Sequence, residues 1–327
     1  KDGKQYEIKH IKDDEYALFD FSDLRNKETF ACGTVTGTIE KYEESMRQAR
    51  SSMVDGCINV AIDIDYYTYQ AFGFLEQAVA DWVTGILAAV NELYESQIGP
   101  SIDLKYVHIW GIIEDPYFNL PVGGSAGFFA YLNAVQSEWN LNGNLSAIDR
   151  DYTAIFTRQP MGGGIARGIG GLCNNGLGNI ASYGLMGSMK ETFDSDTDLG
   201  WQGNAASWNI MVAAHEIGHT VNAIHTHECC CLPNWGYDPA PAYNFDGNTV
   251  IDNCGSWGNQ FGCAGNEVPD ANPPSFYTSL NYGTIMSYCH IAPNTDMTFE
   301  FHPIVLDQRV TPFLNDATCM ECTDDPP

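Results

Sequence analysis

The chain has 327 residues, and its 15 Lys and Arg against 42 Asp and Glu give a formal charge of −27 at pH 7. This charge repels phosphate and argues against nucleic-acid binding. No apolar run approaches the roughly 18 residues that a membrane span needs, so we expect no membrane span. Hydrophobic residues make up 44% of the chain, which is enough for a sizeable core in one lobed domain or two smaller domains.

Cysteine usage indicates an oxidising compartment. Eight of the 11 cysteines lie after residue 228, which predicts a loop-rich, disulfide-stapled C-terminal third. The chain opens Lys1-Asp2 without Met or an apolar leader, so we expect a secreted, extracellular protein whose targeting peptide is no longer present. Because the count is odd, at least one thiol is unpaired or pairs outside the chain.

The first 53 residues are polar, charge-rich and without a clear period, and we predict an N-terminal extension over 1–53. After it, β-branched segments with period two alternate with segments whose apolar residues are three and four apart. The pattern predicts, in chain order, a strand over 57–65, a helix over 72–97, a strand over 102–110, a helix over 125–139 and a strand over 151–157. This order indicates an α/β (α+β) layer.

A glycine-dense segment at 161–171 follows. It fits either a loop or an edge strand on which bare backbone approaches another chain closely, and the segment alone does not decide between them. Further helices are predicted to begin near Ser207 and to lie around 301–306. The acidic run 194–198 resembles a calcium-binding loop only in part, because Leu199 stands where Gly is needed. A structural Ca²⁺ is therefore left open, without assigned ligands.

The chemistry-bearing segment is HEIGHTVNAIH at 215–225. His215 and His219 are four residues apart, so on a helix they differ by about 40° and share a face. Two imidazoles placed in this way can bind one Zn²⁺ at about 2.1 Å each. Glu216 is rotated by about 100° from His215, which puts it beside the metal as a general base for the attacking water.

A third histidine completes the pattern only if the helix stops before it. On a continuing helix His225 would lie about 240° from His219, on the opposite side. Asn222 stands where the stop is needed, and Asn readily adopts the left-handed conformation that ends a helix. Three neutral imidazoles leave a fourth metal position for water, which indicates a catalytic rather than a structural site.

This segment resembles the zinc signature of the metzincin metallopeptidases, HExxHxxGxxH, with Asn222 in place of the usual Gly. Met286, in the stretch GTIMSY, resembles the Met-turn beneath the zinc of that family. Tyr288 resembles the position from which astacins and serralysins lend a phenol to the zinc or to the oxyanion. The resemblance implies that His215, His219 and His225 bind Zn²⁺.

The same resemblance implies a metzincin-type catalytic domain over 54–327. Its upper lobe, about 54–222, is expected to hold a twisted mixed sheet with long helices. Its lower lobe, about 223–327, is expected to be irregular and disulfide-rich. The strand that ends in Asp63-Ile64-Asp65, the long first helix, the glycine-dense segment and the cysteines after the third histidine are similar to the adamalysin/reprolysin branch.

Two positions depart from that branch. Thr226 and Tyr288 stand where adamalysins usually carry Asp and Pro. Pappalysin-like enzymes also follow their third histidine with Thr, so a pappalysin-like or an astacin/serralysin-like protease is the alternative.

The function implied is that of a secreted zinc endopeptidase, a hydrolase in which Glu216 activates a water held by the metal. Tyr288 would help to stabilise the oxyanion. A protein or peptide substrate is expected to bind as an extended strand along 161–171, and we expect a monomer. A catalytically silent metzincin-like binding protein is the alternative from another class, against which the retention of Glu216 and all three histidines argues.

Cys32 precedes Gly33 and resembles the Cys-Gly element by which metzincin propeptides hold the zinc, which implies a latency switch in a zymogen. In this interpretation 1–53 contains a propeptide remnant, and Arg47 and Arg50 have a spacing that a processing protease could cut. The alternative is that Cys32 pairs with Cys57.

The other cysteines are expected to form structural bridges. We predict that Cys173 pairs with one of the last three cysteines. For the CMEC stretch at 319–322, structural bridges are preferred over a redox or zinc-binding role, and the three cysteines at 229–231 are expected to pair with Cys254 and Cys263.

Overall fold

The computed structural model describes nine stretches of the chain: residues 6–12, 15–20, 54–112, 114–173, 181–191, 205–226, 282–287, 296–302 and 305–322. Several predicted features lie outside them, namely Cys32, the Arg47 and Arg50 pair, the acidic run 194–198, the cysteines at 229–231 and Tyr288.

The elements follow one another in a mixed order of strands and helices. They are β1 Tyr6–Lys12, β2 Glu15–Asp20, β3 Cys57–Ile64, α1 Tyr66–Ala71, α2 Glu76–Gln97, β4 Ser101–Ile109, α3 Gly124–Leu141, β5 Tyr152–Phe156, β6 Gly164–Ala166, β7 Tyr183–Met186, α4 Ala205–Thr220, β8 Tyr282–Gly283, β9 Asp296–Met297, and a π-helical turn Leu306–Val310 that continues as α5 Thr311–Asn315.

A five-stranded sheet in the order β4-β3-β5-β7-β6 organises the fold. Its first four strands are parallel, and β6 pairs with β7 in the antiparallel sense. β1 and β2 form a separate antiparallel pair, and β8 and β9 a short parallel pair. The mixed sheet with its long helices confirms the α/β (α+β) prediction. The division into an upper and a lower lobe stays a prediction.

The two faces of the sheet follow from the period of two along its strands. Ile58, Val60 and Ile62 of β3 are buried in a core shared with α2 and α4, whereas Ala61 joins a second core on the side of α3. Ile155 of β5 belongs to the second core, opposite to its neighbours in the strand. The sheet is therefore covered by helices on both sides. In the described part of the chain, no helix has the length and apolar character that crossing a membrane requires.

Helix boundaries differ from the prediction where the backbone turns. The predicted helix over 72–97 begins only at Glu76, because Gly73 and Phe74 have φ of 63° and 62°, which breaks the helix. The short α1 before this break was not predicted; its N-terminus is capped by the Asp65 side chain, which accepts from the Thr68 N–H at 2.9 Å.

Other elements also differ from the sequence-based expectation. β1, β2 and β7 were not predicted, and the pairing of β1 with β2 adds structure within the predicted extension. The helix predicted around 301–306 is placed too early. Residues 301 and 302 are not helical, and the observed π-helical turn begins at Leu306. Helices α3 and α4 begin within two residues of their predicted starts.

Two disulfides fasten the C-terminal segment to β3 and to the segment that follows β6. Cys57, the first residue of β3, is bonded to Cys322, and Cys173 is bonded to Cys319. The second bond confirms the prediction that Cys173 pairs with one of the last three cysteines, and together they confirm structural bridges in the CMEC stretch. The alternative pairing of Cys32 with Cys57 is wrong, because Cys57 is already bonded elsewhere.

Candidate active site

Helix α4 carries the first two predicted ligands on one face. His215 and His219 lie one turn apart near its C-terminal end, and both are buried. Their rings meet edge to face with centroids 4.7 Å apart. The i, i+4 spacing therefore places both imidazoles at the same point of the core, as helical geometry requires.

The helix then stops, and the predicted left-handed turn is confirmed. Asn222 has φ of 78°, its N–H donates to the His219 carbonyl at 2.9 Å, and the Ala223 N–H donates to the Gly218 carbonyl at 2.9 Å. This pair of bonds forms a Schellman motif, which reverses the chain at the end of α4. The reversal brings His225 back to the first two histidines.

The three ring nitrogens converge on one point. His225 Nε2 lies 3.0 Å from His219 Nε2 and 3.2 Å from His215 Nε2. Two nitrogens bound to one tetrahedral Zn²⁺ at about 2.1 Å would be about 3.4 Å apart. Three unprotonated Nε2 atoms at this spacing would repel one another without a cation between them, and the donor set fits a divalent metal.

Backbone carbonyls hold two of the rings in the orientation that a metal needs. His215 Nδ1 lies 2.7 Å from the Ile285 carbonyl oxygen, and His219 Nδ1 lies 2.9 Å from that of Ala223. A carbonyl accepts, so each Nδ1 carries the proton and each Nε2 is left as an acceptor or ligand. Burial and the nearby His225 lower the pKa of His219 to about 3, which keeps this ring neutral.

Met286 forms the floor of the site. Its side chain is buried, and a Cβ atom added at Gly218 of α4 would lie 2.7 Å from its sulfur. Its carbonyl accepts from the Thr226 N–H at 3.0 Å, directly after the third histidine. The same turn therefore supports α4 from below and fixes the segment that carries His225.

Glu216 is buried and packs against the edge strand β6. A Cβ atom added at Gly164 would lie 2.6 Å from both Cγ and Oε1 of Glu216. Burial raises the pKa of Glu216 to about 8, and a hydrogen bond from the Ala166 backbone N–H opposes this shift. A divalent ion at the histidines would favour the carboxylate and so bring this raised pKa down.

The glycine-dense segment contains an edge strand, which settles one of the open alternatives. β6 covers residues 164–166, and among the described residues its pairing partner is β7 alone. Beyond β6 the segment packs on the end of α4, where the Gly170 N–H donates to the His219 carbonyl at 2.9 Å and the Leu172 N–H donates to that of Thr220 at 3.1 Å.

Some contacts of the site were not predicted. Asn222 Nδ2 donates to the Arg309 carbonyl at 3.1 Å, and Arg309 Nη2 donates to Asn222 Oδ1 at 2.9 Å. Gly164 and Ile285 also touch the site through the contacts given above. Nothing in the spacing of the chain signals these pairs, because each joins residues that are far apart in sequence.

The site joins a helix that carries two histidines and a glutamate, a third histidine returned by a turn, and a methionine floor. A family model described as Reprolysin_5, metallo-peptidase family M12, matches residues 56–297. The chain therefore belongs to the reprolysin-type metallopeptidases of family M12 and is a zinc-dependent peptidase. This finding confirms the metzincin resemblance.

Other comparisons add little. Among curated proteins, none is detectably similar to this chain. A solved structure described as "Structure of a chaperone-substrate complex" has 12% sequence identity and a TM-score of 0.36 over 54% of this chain. The similar region covers 25% of that structure's chain, and a likeness this weak supports no conclusion about fold or function.

Proposed function

We propose that this chain is a secreted zinc endopeptidase in which His215, His219 and His225 bind the metal and Glu216 acts as general base. The convergence of three Nε2 atoms at 3.0 to 3.2 Å beside a buried carboxylate carries this proposal. The two disulfides, Cys57–Cys322 and Cys173–Cys319, support an oxidising, extracellular location.

When bound, zinc supplies Lewis acidity, which lowers the pKa of a water toward about 7 and polarises the substrate carbonyl. Glu216 takes the proton of the attacking water and passes it to the leaving amine. Its contact with β6 fixes the carboxylate, so the proton acceptor is positioned before substrate arrives. The Nδ1 bonds of His215 and His219 keep both rings in place during the cycle.

We also propose that a peptide substrate adds to β6 as an extended strand within 161–171. In the described part of the chain Gly164–Ala166 is an edge strand, so backbone groups on its other side can pair with a peptide. Because Glu216 packs directly against Gly164, a peptide paired with β6 would lie beside the base. We expect the enzyme to act as a monomer.

The test is peptide hydrolysis by the zinc-loaded chain, with and without a chelator. Glu216→Gln should retain zinc and lose at least about 100-fold in kcat, because it removes the proton acceptor. Glu95→Gln, at an exposed position on α2, is the matched control and should cleave normally. Zinc binding without cleavage by the wild-type chain would favour the catalytically silent binding protein.

Two roles are proposed on resemblance alone. Tyr288 would donate to the oxyanion, and Tyr288→Phe should then lower kcat while KM stays unchanged. Cys32 would hold the zinc in a latent form, since a thiolate is a good zinc ligand. Thiol labelling of the intact chain with and without a chelator tests this, and a Cys32 that is disulfide-bonded would exclude the switch.

A further inference from the structure

A second concave site lies at the opposite edge of the sheet from β6. It is a cavity of about 540 Å³ between the edge strand β4, the C-terminal part of α3 and the turn that follows α3. Three ring side chains of β4, Tyr106, His108 and Trp110, line it together with Glu114 and Glu138.

A bulge in β4 directs the three rings to the same side. Val60 of β3 pairs with Leu104 and Ala61 pairs with Tyr106, so the register shifts by one residue at Lys105. The extra residue reverses the alternation that follows it. Tyr106, His108 and Trp110 therefore face α3, while Val107 turns toward the other core.

The rings form a continuous wall. His108 is stacked with Tyr106 at 6.4 Å between centroids and meets Trp110 edge to face at 4.4 Å. Trp110 is held in place because its Nε1 donates to Asp63 Oδ1 at 2.8 Å. Tyr106 is the most exposed of the three rings, at 40%, so part of its surface is accessible to a ligand.

The charges of the cavity are negative. Glu138 projects from α3, Glu114 lies in the loop after β4, and none of the described residues that line the cavity is Lys or Arg. Burial lowers the pKa of His108, although Glu114 opposes the shift, so this ring stays neutral near pH 7 and does not repel a cation. The chain as a whole carries −27, which further disfavours an anionic ligand.

We propose that this cavity binds the cationic end of an arginine or lysine side chain presented by a partner protein. Aromatic faces attract a cation through the ring quadrupole, and the two carboxylates supply the acceptors for its N–H groups. A guanidinium fits best, because it can stack on Tyr106 while it donates to a glutamate at its edge. The site lies at the other edge of the sheet from the histidines, and its binding does not depend on the peptidase activity.

The experiment is a calorimetric titration of the full, zinc-loaded chain with Nα-acetyl-arginine amide. Nα-acetyl-citrulline amide has nearly the same shape without the charge and serves as the neutral probe. We expect millimolar binding of the arginine compound that weakens with added salt, and at least tenfold weaker binding of citrulline.

Variants locate the binding. Glu138→Gln and Glu114→Gln should each weaken it about threefold to fivefold, and Tyr106→Leu about threefold. Because Glu114 and Tyr106 are exposed, their replacement leaves the core intact even if the change at Glu138 impairs folding. Glu95→Gln on α2 should bind as the wild type does.

Three results would overturn the proposal. The first is that the arginine compound does not bind at concentrations up to about 20 mM. The second is that the citrulline compound binds equally well. The third is that Glu114→Gln and Tyr106→Leu bind the arginine compound as the wild type does. The last result would assign the binding to another surface.

Discussion

The two edges of the five-stranded sheet are built in opposite ways. At the β6 edge, glycines remove side chains, and the buried Glu216 reaches the backbone of Gly164. At the β4 edge, a bulge gathers three ring side chains into a wall. Every edge strand leaves backbone groups unpaired. The β6 edge, which we call the bare edge, suits recognition of a peptide backbone. The β4 edge, which we call the aromatic edge, suits recognition of a side chain.

Each edge is also held by a buried carboxylate, and the contacts of the two carboxylates differ. Burial raises the pKa of Glu216 to about 8 and that of Asp63 to about 7. Asp63 accepts from the side chains of Trp110 and Tyr117, so its lone pairs are used within the protein. Glu216 lies beside the histidines, where substrate and water would meet. A raised pKa therefore marks both groups, and only the surroundings separate the proposed general base from the structural carboxylate.

The largest effect is expected from placing a side chain on the bare edge. Gly164→Ala puts a methyl group 2.6 Å from Glu216 Cγ and 2.8 Å from the Leu185 carbonyl, so the carboxylate must move. Displacing a general base by about 1 Å costs on the order of 100-fold, and we expect kcat to fall by about 100-fold to 1,000-fold. Peptide hydrolysis and zinc content measured on the same samples check this.

Gly143→Ala is the matched control, because an added Cβ there meets nothing within 4 Å. It should leave kcat unchanged. Loss of zinc together with activity in Gly164→Ala would show that the change disrupts the histidines and not the base alone. Normal kcat in Gly164→Ala would contradict the positioning role of β6.

The second prediction concerns the carboxylate behind the aromatic edge. The folded-state pKa of Asp63 is raised from 3.8 to about 7, so the folded chain holds a proton that the unfolded chain has already lost. The contribution of Asp63 to stability is therefore present below about pH 4 and is lost as the pH rises to about 7. Asp63→Asn cannot ionise, so the wild type should lose up to about 3 kcal/mol relative to this variant between pH 5 and pH 8.

Urea unfolding of both chains in the same chelator at the two pH values measures this difference. The free energy of unfolding of the variant is subtracted from that of the wild type, because other groups also change stability with pH. His219 and His302 have lowered pKa values, so they reduce stability as the pH falls, whereas Asp63 increases it. Asp55→Asn makes the same substitution at an exposed carboxylate and serves as the control. An Asp63→Asn curve parallel to the wild type would mean that Asp63 is ionised throughout.

The same comparison explains how much the sequence could predict. The histidine triad and the turn at Asn222 follow from local helix geometry, so the spacing of a few residues was sufficient. The edge strand was one of two alternatives, because an edge is defined by what pairs with it. The bulge at Lys105 and the contact of Gly164 with Glu216 depend on partners far away in sequence, and no local period reports them.

Helix boundaries show the same limit. The apolar spacing that predicted the long helix runs through 72–97, yet Phe74 adopts a positive φ and the helix starts only at Glu76. Aromatic residues are rarely found in that conformation, so local preference pointed the other way. The hydrogen bond from Tyr69 Oη to the Phe74 carbonyl, at 3.0 Å, is one contact that supports the turn.

The smallest effect is expected at the turn that joins α4 to His225. Asn222 combines a φ of 78° with two hydrogen bonds to Arg309. Asn222→Gly keeps the left-handed conformation and loses the bonds, so the free energy of unfolding should fall by about 1 kcal/mol while zinc content and kcat stay unchanged. Asn222→Ala loses the bonds and strains the backbone, and it should cost about 2 kcal/mol. Thermal or urea unfolding ranks the three chains, and an alanine variant more stable than the glycine variant would mean that the turn does not require the left-handed conformation.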